Sequence, residues 1–413
     1  MSDRIIFHAD CNNFFASCEI LENPALRDVP MAVAGDPEKR VGIVVAKNEI
    51  AKRAGVKTTD TVFQAQKKCP GIVFVPPRHH YYSEISKLVN AIYLEYTDLV
   101  EPASIDESYI DMTKVAPALH MEPAVLADEL RRRVRSEIGI TISVGVSYCK
   151  IFAKMGSDYK KPDATTVIKR DNYRDLLWPL PVGELYMAGK SAVATMQKHY
   201  IRTIGDLARQ SPETMHGMLG KHGDLLWRYA NGVDEDVVRQ YGDRPEIKSV
   251  SRGRTFKRDL VTEGEIKTAV SVLADEVARA LRKSNMKGEV VSVQIRRPDM
   301  VDISRQTGLG HHTFLQLEIQ EVAMGLIRDN WHIGAPIRAL TVGVSKLVPK
   351  DQVVEQMSLS DFALPSVGQE KLGSSAREKQ ERLETLVDEL REKHGEGSIT
   401  LGYHENKEIG LER

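Results

Sequence analysis

The sequence predicts an α+β chain of several domains, and three observations carry that prediction. Arg4-Ile5-Ile6-Phe7-His8-Ala9 is a short apolar run of the kind that becomes a buried strand, and it ends on Asp10. From there to residue 146 the pattern spells strand, helix, hairpin, helix, strand, the ferredoxin-like order of an α+β sheet domain. Past a charged stretch with Gly242 and Pro245, residues 250–348 again mix alternating strands with amphipathic helices, as a second globular unit requires.

Each element has its own reason. Cys11 to Glu19 reads as a turn entering a helix, with Phe14 and Phe15 at its start. Val29–Gly35 and Gly42–Ala46 are short strands, and Asn48–Gly55 is a helix that Gly55 stops. Tyr81–Tyr96 and Pro123–Ile138 are amphipathic helices, and Ile140–Val146 is a buried strand. Between those helices Val100-Glu101-Pro102-Ala103 approaches Ser104-Ile105-Asp106-Glu107. Pro102 cannot donate to a central ladder, so a hairpin bend is expected there. Residues 171–240 are helical: Leu180–Leu185, Met187-Ala188-Gly189-Lys190, a helix to His199, then Ile201–Leu207, an arrangement resembling a helix-hairpin-helix. In the second unit Ser249–Phe256, residues 290–297 and residues 337–344 are strands, and residues 263–284 and 314–329 are helices. His311 and His312 are expected in a loop. A short amphipathic helix, Ala376–His394, ends the chain as a tail or a helix for a partner.

Composition bounds the function. With 413 residues, 42% hydrophobic and 28% charged, the chain is long enough for two to four globular domains. The formal net charge of −1 conceals an asymmetry. Residues 244–350 carry 18 Lys/Arg against 12 Asp/Glu, whereas residues 351–413 carry 8 against 14. The basic section is where phosphate contacts belong, and the acidic tail is expected off the nucleic acid. The four cysteines, Cys11, Cys18, Cys69 and Cys149, form no Cys-x-x-Cys pair and no zinc spacing, so reduced cytosolic thiols are expected. There is no apolar run of bilayer length, so a cytoplasmic protein without a membrane partner is expected.

The chemistry centres on carboxylates. Neighbouring side chains on a strand point to opposite faces, so Asp106 and Glu107 converge only at a bend, and converging carboxylates repel unless a cation lies between them. A solvated turn accounts for the pair equally well in isolation, as an N-cap does for Asp10. The two stretches together narrow the reading. A strand-end Asp10 followed by Phe14-Phe15, then Ser104-Ile105-Asp106-Glu107, then Ser147…Lys150…Ala153-Lys154…Lys161-Pro162, resembles the Y-family, or translesion, DNA polymerases over about residues 1–362.

That resemblance implies a right-hand polymerase. The palm would be residues 1–22 and 79–170, the small fingers 23–78, and the helix-hairpin-helix thumb 171–240. A linker, 241–249, would join them to an α+β little finger, 250–348, and a tail, 349–413. It implies low-fidelity, template-directed DNA synthesis past damaged bases by two-metal phosphoryl transfer. Two Mg²⁺ ions would be held by Asp10, Asp106, Glu107 and the Cys11 backbone carbonyl. Phe15 would be the steric gate against a 2′-hydroxyl. Phe14, Phe15, Lys52 and Lys161 would line the nucleotide, with Ile43 and Val45 as its roof. Where the family has Asn-Tyr-x-Ala-Arg-Lys this chain has Asn48-Glu49-Ile50-Ala51-Lys52-Arg53, so a hydroxyl donor is replaced by the carboxylate of Glu49. DNA phosphates are expected at Gly189, Lys190, Arg252, Arg254, Arg296 and Arg297. Gln356, Leu359 and Phe362 have the spacing of sliding-clamp-binding peptides. Partners would be primer-template DNA, deoxynucleoside triphosphates and the clamp, with a monomeric chain. No proofreading site is expected. A nucleotide cyclase on a similar palm and a non-catalytic repair scaffold are the alternatives. The helix-hairpin-helix and the basic domain argue against the first, and the intact carboxylates against the second.

Overall fold

The structure, a computed structural model, describes residues 4–36, 42–243, 245–353, 374–395, 398–399 and 409–411. Its contacts divide the chain into two units, Met1–Gly35 with Gly42–Arg244, and Asp36–Val41 with Pro245–Arg413. Gln356, Leu359 and Phe362 lie outside the described residues.

The first unit begins with β1 (Ile6–Cys11) and α1 (Phe14–Glu22). Then β2 (Met31–Ala34), β3 (Val44–Lys47), α2 (Glu49–Arg53), α3 (Val62–Lys68) and β4 (Val73–Val75) make a small lobe on a three-stranded sheet, ordered β3-β2-β4. The buried Asn48 side chain caps α2 at Ala51 N and also bonds Met31 N and the Val29 carbonyl, so one amide fixes helix to sheet. Next come α4 (His79–Leu94), the hairpin of β5 (Val100–Pro102) and β6 (Glu107–Asp111), α5 (Val115–Ala118), α6 (Pro123–Glu137), β7 (Ile142–Ser147), α7 (Lys150–Tyr159) and β8 (Thr165–Ile168). These complete a five-stranded sheet ordered β5-β6-β1-β7-β8, in which β1 runs antiparallel to both β6 and β7.

Strand periodicity sorts this sheet into two chemistries. Phe7, Ala9 and Cys11, with Ile110, Ile142, Val144 and Val146, face α4 and α6 and form the main core. The alternate residues of β1 (Ile6, His8, Asp10) share the opposite face with Glu107, Tyr109 and Gly145. Helix α7 lies on that face, and glycines set how closely it lies. A Cβ on Gly145 would overlap the Ala153 carbonyl of α7, and one on Gly156 would stand 3.0 Å from Gly145 Cα. The returning segment 234–240 completes the cover. Val238 packs with Ile6, Tyr109 and Ala153, and buried Glu101 takes Lys150 and Arg239, each at 2.8 Å.

The helical lobe is α8 (Tyr173–Leu177), α9 (Lys190–Lys198), α10 (Ile204–Ala208), α11 (Pro212–Leu219) and α12 (Lys221–Ala230) around its own core. Val182 N donates to the Arg202 carbonyl at 2.8 Å, which pairs the loops before α9 and α10.

The second unit is β9 (Ser249–Leu260), α13 (Glu263–Lys283), β10 (Met286–Arg296), β11 (Asp302–Thr313), α14 (Gln316–Asn330), β12 (Ile337–Pro349) and α15 (Ser374–His394). Its antiparallel sheet is ordered β11-β10-β12-β9. Val291, Val293, Ile295, Leu340, Val342 and Val344 enter the core beneath α13 and α14. The other face presents Ser251, Ser292, Gln294, Ser304 and Thr341 along a shallow groove. Two expectations change here. His311 and His312 sit on β11, not in a loop. This edge strand is polar and glycine-containing, held by its backbone ladder to β10, so it carries no apolar alternation to read. The tail helix α15 is not a free tail: Glu384 and Asp388 take Arg282, Glu381 takes Lys287 at 2.6 Å, and fully buried Arg391 takes Asp275 at 3.1 Å.

If the glycine contact seats α7, Gly145→Ala should cost about 1–3 kcal/mol or more, because backbone and not a flexible side chain must yield. Thermal unfolding of Gly145→Ala indistinguishable from wild type would contradict that seating.

Candidate active site

Asp10, the penultimate residue of β1, lies directly opposite Glu107, the first residue of β6, so both carboxylates leave one face of the sheet side by side. Asp106 lies in the bend just before, where Cys11 N donates to its carbonyl at 3.0 Å and Ser104 Oγ donates to its carboxylate at 2.6 Å. The bend anticipated from Pro102 therefore exists, but it is Glu107, on the strand, that faces Asp10.

Two lysines enter from α7 and the loop after it. Lys154 Nζ stands 2.9 Å from Glu107, 3.3 Å from Asp10 and 3.0 Å from Asp158. Lys161 Nζ stands 2.6 Å from Asp10 and 2.6 Å from Asp158. Burial pushes the Asp10 carboxyl up to about 7, against the pull of Lys161 and Lys154. Burial would raise Glu107 too, but its interactions with His8, Asp10 and Lys154 outweigh it and hold this carboxyl below the usual range. Both lysines are held above their ordinary values by these carboxylates, against burial. His8, fully buried, bonds Ser157 Oγ through Nδ1 at 2.8 Å. Its Nε2 is 3.5 Å from Glu107 and has no hydrogen bond, and burial lowers its pKa toward the neutral ring.

Asn12 fixes the Lys161 loop. Its buried carbonyl accepts from Asp163 N at 2.8 Å and Thr141 Oγ1 at 3.0 Å, and its amide donates to Ser143. Arg131 and Arg135 hold the Asp163 carboxylate from the far side.

The other expected residues divide. Phe15 is half-buried and stacks on Tyr82 with centroids 4.2 Å apart, whereas the Phe14 side chain is turned into the main core. Lys52 is half exposed and 3.4 Å from Glu49, which also accepts from Asn13 Nδ2 at 2.9 Å. Asn13 and Lys52 hold the Glu49 carboxyl below its usual range despite burial, so it is charged. Ile43 is exposed and Val45 half-buried on the small lobe. Gly189 caps α9 with Lys190 exposed beside it. In the second unit Arg254 pairs with Glu276 of α13, on the helix-covered side. Arg252 is exposed at the edge strand, and Arg296 and Arg297 are exposed but paired with Asp302 and Asp299.

Among the described residues no three His, Cys, Asp or Glu side chains already form a metal cage; ammonium groups stand between the carboxylates instead. The donor set nevertheless suits a hard divalent cation. Its ligands are carboxylate oxygens, three carboxylates (Asp10, Glu107 and Asp158) face only two lysines, and the Cys11 thiol is pushed far above its usual range by burial and so is no soft ligand.

Residues 9–158 match the impB/mucB/samB family, and residues 247–359 match that family's C-terminal domain. The chain belongs to the Y-family of translesion DNA polymerases. It is 40% identical to DNA polymerase IV of Acetivibrio thermocellus over 97% of each chain. It is 35% identical to DNA polymerase IV 1 of Bacillus subtilis, over 98% of this chain and 94% of that one. Against DNA polymerase IV of Oceanobacillus iheyensis the identity is 34%, over 98% and 93%. Within this Y-family chain, sequence reasoning gave Lys154, His8 and Asn12 no role. A signal was present: Lys154, Asp158 and Lys161 recur at i, i+4 and i+7, and His8 lies two residues before Asp10 on the same strand face.

Proposed function

We propose that this chain is a DNA-directed DNA polymerase of low fidelity that extends primers past damaged template bases, with Asp10, Asp106 and Glu107 as its catalytic carboxylates. The observation that carries the reading is the burial of Asp10 opposite Glu107 with Asp106 in the adjoining bend. Desolvated carboxylates brought together this way require cations. Two Mg²⁺ ions held by these three residues and the Cys11 carbonyl would supply charge neutralisation on the triphosphate and a more acidic primer 3′-hydroxyl.

The remaining roles belong to the chain's own groups. Lys161, on a loop tied down by Asn12 and Asp163, presents an ammonium to the triphosphate, and Lys52 adds a second point charge from the small lobe. Phe15, held flat against Tyr82, closes the space beside the sugar. The two-sheet first unit takes the roles of palm and fingers, and the helical lobe that of a thumb whose Gly189–Lys190 helix start meets a phosphate. The open sheet face of the second unit, as little finger, takes the DNA backbone with Arg296 at its margin, and Arg252 adds a contact from the edge strand β9. Gln356, Leu359 and Phe362 tether the enzyme to a sliding clamp, and the chain works as a cytoplasmic monomer. No described helix is long and apolar enough to cross a membrane.

Asp106→Asn should bind primer-template as wild type does but extend it slower by about two orders of magnitude or more, since a ligand loses its charge. Extension within tenfold of wild type removes Asp106 from the catalytic set. Phe15→Ala should raise ribonucleotide incorporation relative to deoxyribonucleotide in single-nucleotide assays, and an unchanged ratio would rule out Phe15 as the gate.

A further inference from the structure

Lys154 and Lys161 touch the same carboxylates but are built differently. The Lys161 side chain is 28% exposed, on a loop that opens to solvent, which suits an arriving phosphate. The Lys154 side chain is 10% exposed, on the helix that Gly145 and Gly156 press against the sheet, and its ammonium is held by three carboxylates at once. Among the described residues it is the only lysine or arginine in contact with Glu107.

We propose that Lys154 is a place-holder cation. Its ammonium holds Asp10 and Glu107 together before a divalent ion arrives, and it withdraws to Asp158 when one binds. The inference rests on the reading of Asp10 and Glu107 as cation ligands. Two partly desolvated carboxylates side by side repel unless a positive charge lies near both. Lys154 is the group so placed at both, 2.9 and 3.3 Å away. Asp158, one turn along the same helix and half exposed, already shares the ammonium at 3.0 Å, so the exchange needs only a rotation of the lysine chain. The consequence is a trade. The lysine stabilises the cation-free enzyme and competes with the entering ion, so it is a positioning residue whose loss tightens cation binding.

The test is calorimetric unfolding of the full chain in EDTA and in MgCl₂ at matched ionic strength, for wild type, Lys154→Met and Lys154→Arg. Lys154→Met should unfold at lower temperature than wild type in EDTA. It should also gain more from Mg²⁺, by about 3 °C or more, corresponding to roughly tenfold tighter binding. Lys154→Arg, which keeps the charge, should behave as wild type. If Lys154→Met folds only with Mg²⁺, that is the same result in stronger form. If it folds in neither, Lys154→Gln goes through the same pair of scans. An equal Mg²⁺ gain in wild type and the neutral variant overturns the place-holder while leaving the cation site intact. No Mg²⁺ gain in any variant overturns the cation site and the place-holder with it.

Discussion

Asp10 and Glu107 stand side by side on paired strands, Asp10 buried and Glu107 partly so, and that placement constrains the architecture around them. Carboxylates in such surroundings must be neutralised or supplied with positive charge. The chain supplies charge, through ammonium groups carried on a helix and on the loop that follows it. The helix reaches the sheet only because Gly145 and Gly156 present no side chains at the crossing. The loop reaches it because Asn12, the second residue after Asp10, bonds the backbone of Asp163. Acid and base are thus anchored through neighbouring residues of the same strands.

The small lobe adds a second electrostatic feature. On the small lobe Glu49 is charged, and it is engaged by Asn13 of the turn leaving β1 and by Lys52 of its own helix. Its negative charge therefore does not stand alone before an incoming polyanion. Its carboxylate thereby bonds the small lobe to the turn that follows β1. In the second unit the basic balance of the sequence overstates the charge available to DNA. Arg254, Arg282 and Lys287 are spent on Glu276, Glu384 and Glu381, the last two from the acidic helix at the end of the chain.

What was legible in the sequence follows from which physics is local. Strand alternation is local, so Asp10 at a strand end and a bend at Asp106 could be read directly, and so could the long amphipathic helices α4, α6, α13 and α14. Charge compensation is not local. That Lys154 meets Glu107, or that the tail pairs with α13, depends on helix–sheet and helix–helix docking that no short window encodes. Strand β11 was invisible because its stability comes from backbone pairing with β10 and not from its own side chains. Phe14 and Phe15 were read as a pair, yet the helical turn sends one to the core and one to Tyr82.

The central claim is that the Asp10–Glu107 pair, with Asp106, is where catalytic cations bind. Anomalous scattering from crystals of the enzyme with primer-template DNA, a non-hydrolysable deoxynucleotide and Mn²⁺ tests it most directly. The account predicts two peaks about 4 Å apart, each at coordination distance from Asp10 and Asp106, with Glu107 on one of them. A bound nucleotide with no anomalous peak at these carboxylates would contradict it.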